Sequence, residues 1–597
     1  MRRTRPAFVT VACFLCTLFI FGLQAYGQDS DQAKAHRNGI VDDWSRRYSV
    51  YPRVGPIHSL IALRNDPRAV FSWQEALRKD RHRWRIPRRD RTLLSSFRTD
   101  WSISLGSGAI APAMYPAKYS FDITAIPDCA NDFVVFPVDV SGSTNQPNIV
   151  GFNNLYSGST PSTGICNSRT VQVGTTDNVT SATVLWSYYL NSDIQTNPSS
   201  PVNFARTSPA LSLDGTRVAL VISGSYQYGD FVVLAPKSGD GVATDLQMVT
   251  SPLAISVFAS TAVAAGSGTA TNLLLDYDSD LSSPFIDYQT DTAYVGDRYG
   301  DLYHVLNVFC ATTACQTAGS PAPSLDPVWG GFFGIAVPCG QELTGPVEDA
   351  FSNVFVGCAD GQLYGFNSSG IPLAGSPIAV GDGSATGGIV DSPVVDMVNG
   401  YLYVAAGNSA GGTSVVAQIQ DLGSSINLVG TATLDAGGVF NLHAPAFNDA
   451  YFTDASTPGN WLLYEYSGNN NSTTSVWGIA FSTGHVMDTG TPGNMDILSS
   501  GSFEASPLTE FFNGTTDYLF AGNSGTSPGN SGVRNYDITG GTFPTASINF
   551  VEEGQGTSGI IVDNNSGTAQ ASSIYFGVLG TGTSANSAVK LTQSGLQ

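Results

Sequence analysis

The stretch TAYVGDRYGDLYHVL, residues 292–306, decides the fold, and NVFVGCADGQLYGF repeats its outline at 353–366. In each, a run of β-branched and aromatic residues ends at glycine, Gly296 or Gly357. A turn carrying Asp and Gly follows, and an aromatic strand comes back, which is the pattern of an antiparallel hairpin. Both stretches follow a small residue and a proline, Ser283-Pro284 and Gly345-Pro346. The same unit recurs with Ser208-Pro209 before TRVALVISG, Ser392-Pro393 before YLYVAAG, Ala444-Pro445 before WLLYEYSG and Ser506-Pro507 before DYLFAGNSG. These prolines are 75, 62, 47, 52 and 62 residues apart. That spacing suits a blade of four short strands with loops of varying length, so the chain reads as all-β, a β-propeller.

Two further units lack the proline but fit the template. One runs from YSFDITA at 119 to ATVLWSYYL at 182, and the other from GIIVD at 559 to SAVKL at 587. The count is eight blades, or seven if one unit has been split in two. The last unit has no fourth strand of its own. DWSISLGSG, residues 100–108, is expected to supply it and to close the ring, since an open ring leaves hydrogen-bonding edges exposed.

The two opening strings resemble the repeat of quinoprotein-type propellers that carry pyrroloquinoline quinone. LSLDGTRVALV at 211–221 is similar to the strand-turn-strand unit of TolB-type propellers. Together with MYPAKY at 114–119, the whole resembles uncharacterised exported bacterial propeller proteins. For a working quinoprotein dehydrogenase the resemblance implies an adjacent cysteine pair, a stacking tryptophan and a calcium ion held by Glu, Asn and Asp. The cysteine pair is absent, and none of Trp101, Trp186, Trp329, Trp461 and Trp477 sits in a motif matching the stacking position. Pyrroloquinoline quinone is therefore not an expected cofactor.

Composition agrees with a large folded ring. Of 597 residues 42% are hydrophobic and 13% charged, with 65 Gly and 31 Pro for turns. Charge divides the chain: residues 1–100 hold 19 of the 27 Lys and Arg but only 9 of the 48 Asp and Glu. From 101 onward the formal charge is −31, whereas residues 28–100 carry +7. The basic leader is expected to pack on the acidic body; binding of an anionic envelope polymer or nucleic acid by the leader is the alternative. An acidic body also argues against nucleic acid as its partner.

Arg2, Arg3 and Arg5 precede an apolar run from Phe8 to Leu23 and a small-residue site, Ala25-Tyr26-Gly27, which reads as a signal peptide over 1–27 or else an uncleaved anchor. Residues 28–99 read as a basic, partly helical segment, with a helix start at Asn65-Asp66-Pro67 and helix formers from Ala69 to Asp80. The propeller then occupies 100–597. No later segment resembles a membrane span, and a monomer is expected. Six cysteines lie beyond the signal, and an even number in an exported chain suggests disulfides. The expected pairs join neighbours: Cys129 with Cys166, Cys310 with Cys315, Cys339 with Cys358.

Two clusters are candidate sites. Asp276, Asp278 and Asp280 alternate and Asp287 falls at the twelfth position of the same loop, a spacing compatible with calcium, although Leu281 stands where such a loop uses Gly and Pro284 occupies the ninth position. The residues two before each proline, Thr207, Ser282, Thr344, Asp391, His443 and Ala505, should ring one mouth of the central channel, placing a carboxylate and an imidazole there. The expected function is an exported binding or scaffolding module of the periplasm or cell surface, taking a protein or polysaccharide. The competing reading is an enzyme at the channel mouth, quinone-dependent or acting on carbohydrate through Glu348 and Asp349 with Asp391.

Overall fold

In the computed structural model the described residues lie between 39 and 593. They leave out 52–65, 70–96 and several loops, the longest being 167–180, 192–202, 257–266 and 311–322. The expected signal peptide falls outside them, as does the helix beyond Ala69, of which only Pro67–Ala69 is described, and is helical. No helix among the described residues is long and apolar enough to cross a membrane.

Eight separate sheets follow one another along the chain. Their innermost strands are Ala117–Ser120, Ala210–Leu211, Phe285–Asp287, Val347–Glu348, Val394–Asp396, Ala446–Phe447, Thr509–Phe512 and Ile561–Asn564, here blades 1 to 8. Each pairs antiparallel with the next strand outward, as in Phe285↔Tyr294 and Val347↔Phe355. The unit predicted from the Pro-to-Gly repeat is thus the blade, and the count is eight. Blade 1 also carries Leu253–Ser256, parallel to its outer strand Thr183–Asn191.

Closure is as expected from the missing fourth strand. We label the leader elements β1 (Ile40–Asp42), α1 (Ser45–Tyr48), β2 (Ser49–Val50) and β3 (Phe97–Ser104). β3 pairs antiparallel with Ser587–Gln593 from Phe97↔Gln593 to Ser104↔Ser587, so the start of the body completes blade 8. Beneath this seam two lysines are buried: Lys590 Nζ lies 3.1 Å from Asp100, and Lys118 Nζ lies 3.2 Å from Asp563. The second pair crosses from the inner strand of blade 1 to that of blade 8.

The repeat has a physical reason. In five of the eight blades a hydroxyl just before the inner strand accepts a backbone N–H of the second strand: Thr207 from Val221, Ser282 from Gly296, Thr344 from Gly357, Ser506 from Gly522 and Ser558 from Gly577, all at 2.8–3.0 Å. The glycine there lets the next blade approach. A Cβ on Gly357 would stand 2.4 Å from the Ile389 side chain, and one on Gly296 would stand 2.7 Å from Leu343 Cβ. The turn aspartates are equally local, with Asp297 accepting N–H groups of Tyr299 and Asp301. Thr344→Val keeps the shape but leaves the Gly357 N–H buried and unmatched, so it is expected to cost about 1–3 kcal/mol. Urea denaturation of the variant, showing a lower midpoint at unchanged slope, checks this.

Two expected disulfides are present, Cys129–Cys166 and Cys339–Cys358. Cys310 is also disulfide-bonded; Cys315 lies outside the described residues. Asp360 stands near the second bridge, but sulfurs joined to each other are not thiolate metal ligands.

Candidate functional site in the central channel

The channel of the ring is occupied by the chain's own leader. β1 pairs antiparallel with the inner strand of blade 1, Ile40↔Ser120 to Asp42↔Lys118. β2 pairs parallel with the inner strand of blade 5, Ser49↔Val395 and Val50↔Asp396. Blades 1 and 5 face each other across an eight-membered ring, so the leader runs up one wall, turns through α1 and returns down the opposite wall. The inner strands of a propeller run the same way along the axis, and the turn therefore lies at the end where those strands begin.

The sequence GIVDDWSRRYSVY, residues 39–51, suits this path. Three residues of strand, Ile40, Val41 and Asp42, are buried. Asp43 then accepts from the Ser45 amide and hydroxyl, holding the first turn of α1. Asp42 takes Arg46 at 2.9 Å and Arg47 at 3.7 Å, so that one carboxylate offsets part of the charge of two guanidiniums. Trp44 donates its indole N–H to the Pro284 carbonyl at 3.0 Å and meets the Tyr48 ring edge-on at 5.1 Å. Gly345 is required beside it, because a Cβ there would stand 2.9 Å from the indole.

Tyr48 is the centre of the plug. Its hydroxyl lies 2.9 and 3.0 Å from the two oxygens of Asp391, and its ring faces Tyr115 edge-on. Tyr115 is tied to blade 2 by its amide on Ser208 Oγ, and its ring covers Gly559 of blade 8. Burial first, and the Asp391 carboxylate second, push the Tyr48 hydroxyl well above the usual tyrosine range, so it stays a neutral donor. Tyr51 donates to Asp66 at 2.6 Å, Asp66 holds Arg68 at 2.8 Å, and Arg68 donates to the Ser45 hydroxyl of α1 at 3.3 Å and to the Ile286 carbonyl while lying 4.3 Å over the Phe285 ring. Tyr288 of blade 3 donates to Asp43 at 3.0 Å.

Of the predicted rim residues, Asp391 and His443 do meet, Nδ1 to Oδ2 at 3.3 Å. The Ala444 and Ser392 amides also donate to Asp391, which therefore holds the plug and the blade 5–6 junction together. Thr207, Ser282 and Thr344 line the same level, but their hydroxyls serve the blade backbone described above. Ala505 lies outside the described residues. About 60 Å³ remains between the plug and blades 6 and 7, bordered by Arg46, Arg47, Phe447 and Glu510, room for about five waters.

The carboxylates Glu348 and Asp349 stand at the far end of the blade 4 inner strand, whereas Asp391 precedes that of blade 5, so the three are not brought together. Burial, then the nearby Asp287 charge, pushes Glu348 up to about 8. Asp349 is pushed up to about 8 by burial and by its hydrogen bond with Asp421, while its Oδ1 accepts the Phe351 and Asn353 amides. Folded Asp349 thus keeps a proton that the unfolded group releases near 3.8. The folded state binds more protons between those values, and stability falls as pH rises through the window. Asp421→Asn supplies an amide donor in place of the shared proton. Its denaturation midpoint is expected to vary less between about pH 5 and 8 than that of the parent chain; equal slopes would remove the pair as the cause.

The calcium candidate divides. Asp287 ends the inner strand of blade 3 and accepts the Gln289 amide and the Thr290 hydroxyl; Asp276, Asp278 and Asp280 lie outside the described residues. The plug itself was not legible beyond the expectation that the leader docks. Its one local signal is the aromatic pair Trp44 and Tyr48, four apart around Arg46 and Arg47.

No protein-family model matches the chain, and no curated protein matches it. Among solved structures it is similar to the Dos1 propeller, at 10% identity and a TM-score of 0.42 over 83% of this chain and 95% of that one. It is similar also to Sqt1 of Saccharomyces cerevisiae, at 10% identity and 0.41 over 83% and 98%. A third is a putative 6-phosphogluconolactonase from Bacteroides uniformis, at 12% identity and 0.36 over 70% and 99%. Likeness at this level carries no functional argument, and the eight sheets establish the propeller without it.

Proposed function

We propose that this chain is an exported binding or scaffolding propeller that recognises a protein or polysaccharide with its faces, as a monomer, and not through chemistry in the channel. The observation that carries the reading is Tyr48 seated on Asp391: the place where a channel ligand would reach the Asp391–His443 pair is taken by the leader. Loops on a rigid ring are the ordinary recognition surface of such a scaffold. The leader and the ring then form one unit through Tyr48 on Asp391 and Arg68 on the Ile286 carbonyl, while Asp42 and Asp66 of the leader itself pair with Arg46, Arg47 and Arg68. The repeat-level likeness to quinoprotein-type and TolB-type propellers belongs to the same reading as a shared scaffold.

Crosslinking on intact producing cells, followed by mass spectrometry, tests it. The expected product joins loop peptides of one face to a protein or glycan of the envelope. Saturable uptake of pyrroloquinoline quinone with calcium, and substrate-dependent reduction of an artificial electron acceptor by the purified protein, would defeat it in favour of the enzyme. Calcium in the loop of Asp276, Asp278 and Asp280 is a separate element of the proposal, serving to stiffen it; a melting temperature indifferent to chelator would remove it.

A further inference from the structure

The seam between blades 1 and 8 buries more polar chemistry than one ion pair needs. Lys118 and Asp563, on the innermost strands of the first and last blades, have side chains 2% and 0% exposed and meet at 3.2 Å. Lys118 also donates to the Ser120 hydroxyl, two residues on and on the same face of its strand. Asp132 completes the group. Lys118 pairs in register with Val134, so Asp132, two residues before Val134, is its diagonal neighbour on that face of the sheet. Asp132 is buried too, and it feels both the ammonium of Lys118 and the carboxylate of Asp563. Two fully buried tyrosines are bonded to the carboxyl groups, Tyr156 to Asp132 at 2.7 Å and Tyr575 to Asp563 at 3.3 Å.

An amine held against a carboxyl group, with a second carboxyl beside them to carry protons, is the reactant set of an amide. Fixing the two partners in contact removes the entropic cost of bringing them together. The protons and electrons balance without a co-reactant. Asp132, whose carboxyl is pushed upward in pKa first by burial, passes its proton to Asp563 and takes one from the Lys118 ammonium. Neutral Nζ then attacks the Asp563 Cγ, a C–N bond forms, and a C–O bond breaks. The oxygen leaves as water with a proton that Asp132 relays from the nitrogen, and Asp132 ends as it began. One ammonium and one carboxylate have become one neutral amide and one water. Loss of two buried charges favours the product, and dry surroundings protect it from hydrolysis. The neighbouring pair is wired differently, since Asp100 also takes the guanidinium of Arg98, a permanent cation that opposes neutralisation of the carboxylate.

We infer that Lys118 and Asp563 condense to an isopeptide bond, with Asp132 carrying the protons, so that the first and last blades are joined covalently once the ring has closed. The loop so closed runs from residue 118 to residue 563, and a link across a long loop restricts the unfolded chain most. The test uses the full-length protein from producing cells, reduced, alkylated, digested and read by tandem mass spectrometry. The expected product is a branched peptide that joins the segments holding Lys118 and Asp563 and is one water lighter than its two arms. Lys118→Arg keeps the cation and Asp132→Asn keeps the shape of the proton carrier; neither is expected to yield the branched peptide. Both should unfold at a lower urea concentration than the parent, with folding before denaturant checked by near-ultraviolet circular dichroism. Recovery of the two segments from the parent only as separate linear peptides, with Lys118 open to acetylation after denaturation, would overturn the bond, and this readout needs no variant to fold. A branched peptide formed as fully in Asp132→Asn as in the parent would overturn the part given to Asp132.

Discussion

Lys590→Met is expected to destabilise the ring by about 3–5 kcal/mol, because it takes from a buried carboxylate its one buried cationic partner. Lys590 and Asp100 are both without solvent exposure, on the two strands that close blade 8. Burial pulls the ammonium of Lys590 downward in pKa and Asp100 opposes it, so the pair holds its charge by mutual contact. The Leu155 carbonyl accepts a further hydrogen bond at 2.9 Å, and the Tyr156 ring lies 5.4 Å away. With Lys590 gone, Asp100 keeps Arg98, which is half exposed and so weakly binding, and the Thr592 hydroxyl. Ring closure then competes with a buried carboxylate that is only partly compensated. The double variant Lys590→Met with Asp100→Leu removes both charges and should recover most of the loss. Urea denaturation of the three proteins checks this: equal midpoints for the parent and Lys590→Met would mean that the pair does not secure the seam.

Closure of the ring was legible before its chemistry was. The eight repeats are local patterns, six of them a proline, a strand ending in Gly and a return strand, and two fitting the template without the proline. A missing fourth strand in the last unit left DWSISLGSG as the segment to fill it. The buried lysines were not legible, since Lys118 and Asp563 are far apart in the chain and nothing in MYPAKY or GIIVD says that they meet. The same holds for the plug. β1 and β2 are three and two residues long, too short for any period to show, and Tyr48 meets Asp391 across 343 positions. Residue type alone does not say where a hydroxyl points. Thr207, Ser282 and Thr344 satisfy backbone amides, and Asp391 receives a tyrosine from the leader.

Trp44→Ala should cost about 3–5 kcal/mol, the range for emptying a large buried aromatic. The indole is 2% exposed and packs between Tyr48, Phe285 and the backbone at Gly345, and its N–H holds the Pro284 carbonyl. Alanine leaves that carbonyl without its donor and the helix α1 without its anchor on blade 3. The rest of the plug is held by short strands and by Tyr48, so the loss is expected to free the leader locally while the eight sheets stay folded. Two measurements separate this from global unfolding. Amide exchange should accelerate at residues 40–51 well before it does in the second strands of the blades, and His443, 4% exposed beneath the plug, should become reactive towards an imidazole-modifying reagent. Removing residues 28–98 should expose the same histidine and lower the melting temperature, since the ring then loses both the aromatic filling of its channel and the strands paired with blades 1 and 5. An unchanged melting temperature after that deletion, with His443 still protected, would mean that the leader does not close the channel, and the Asp391–His443 pair would again be open to a ligand.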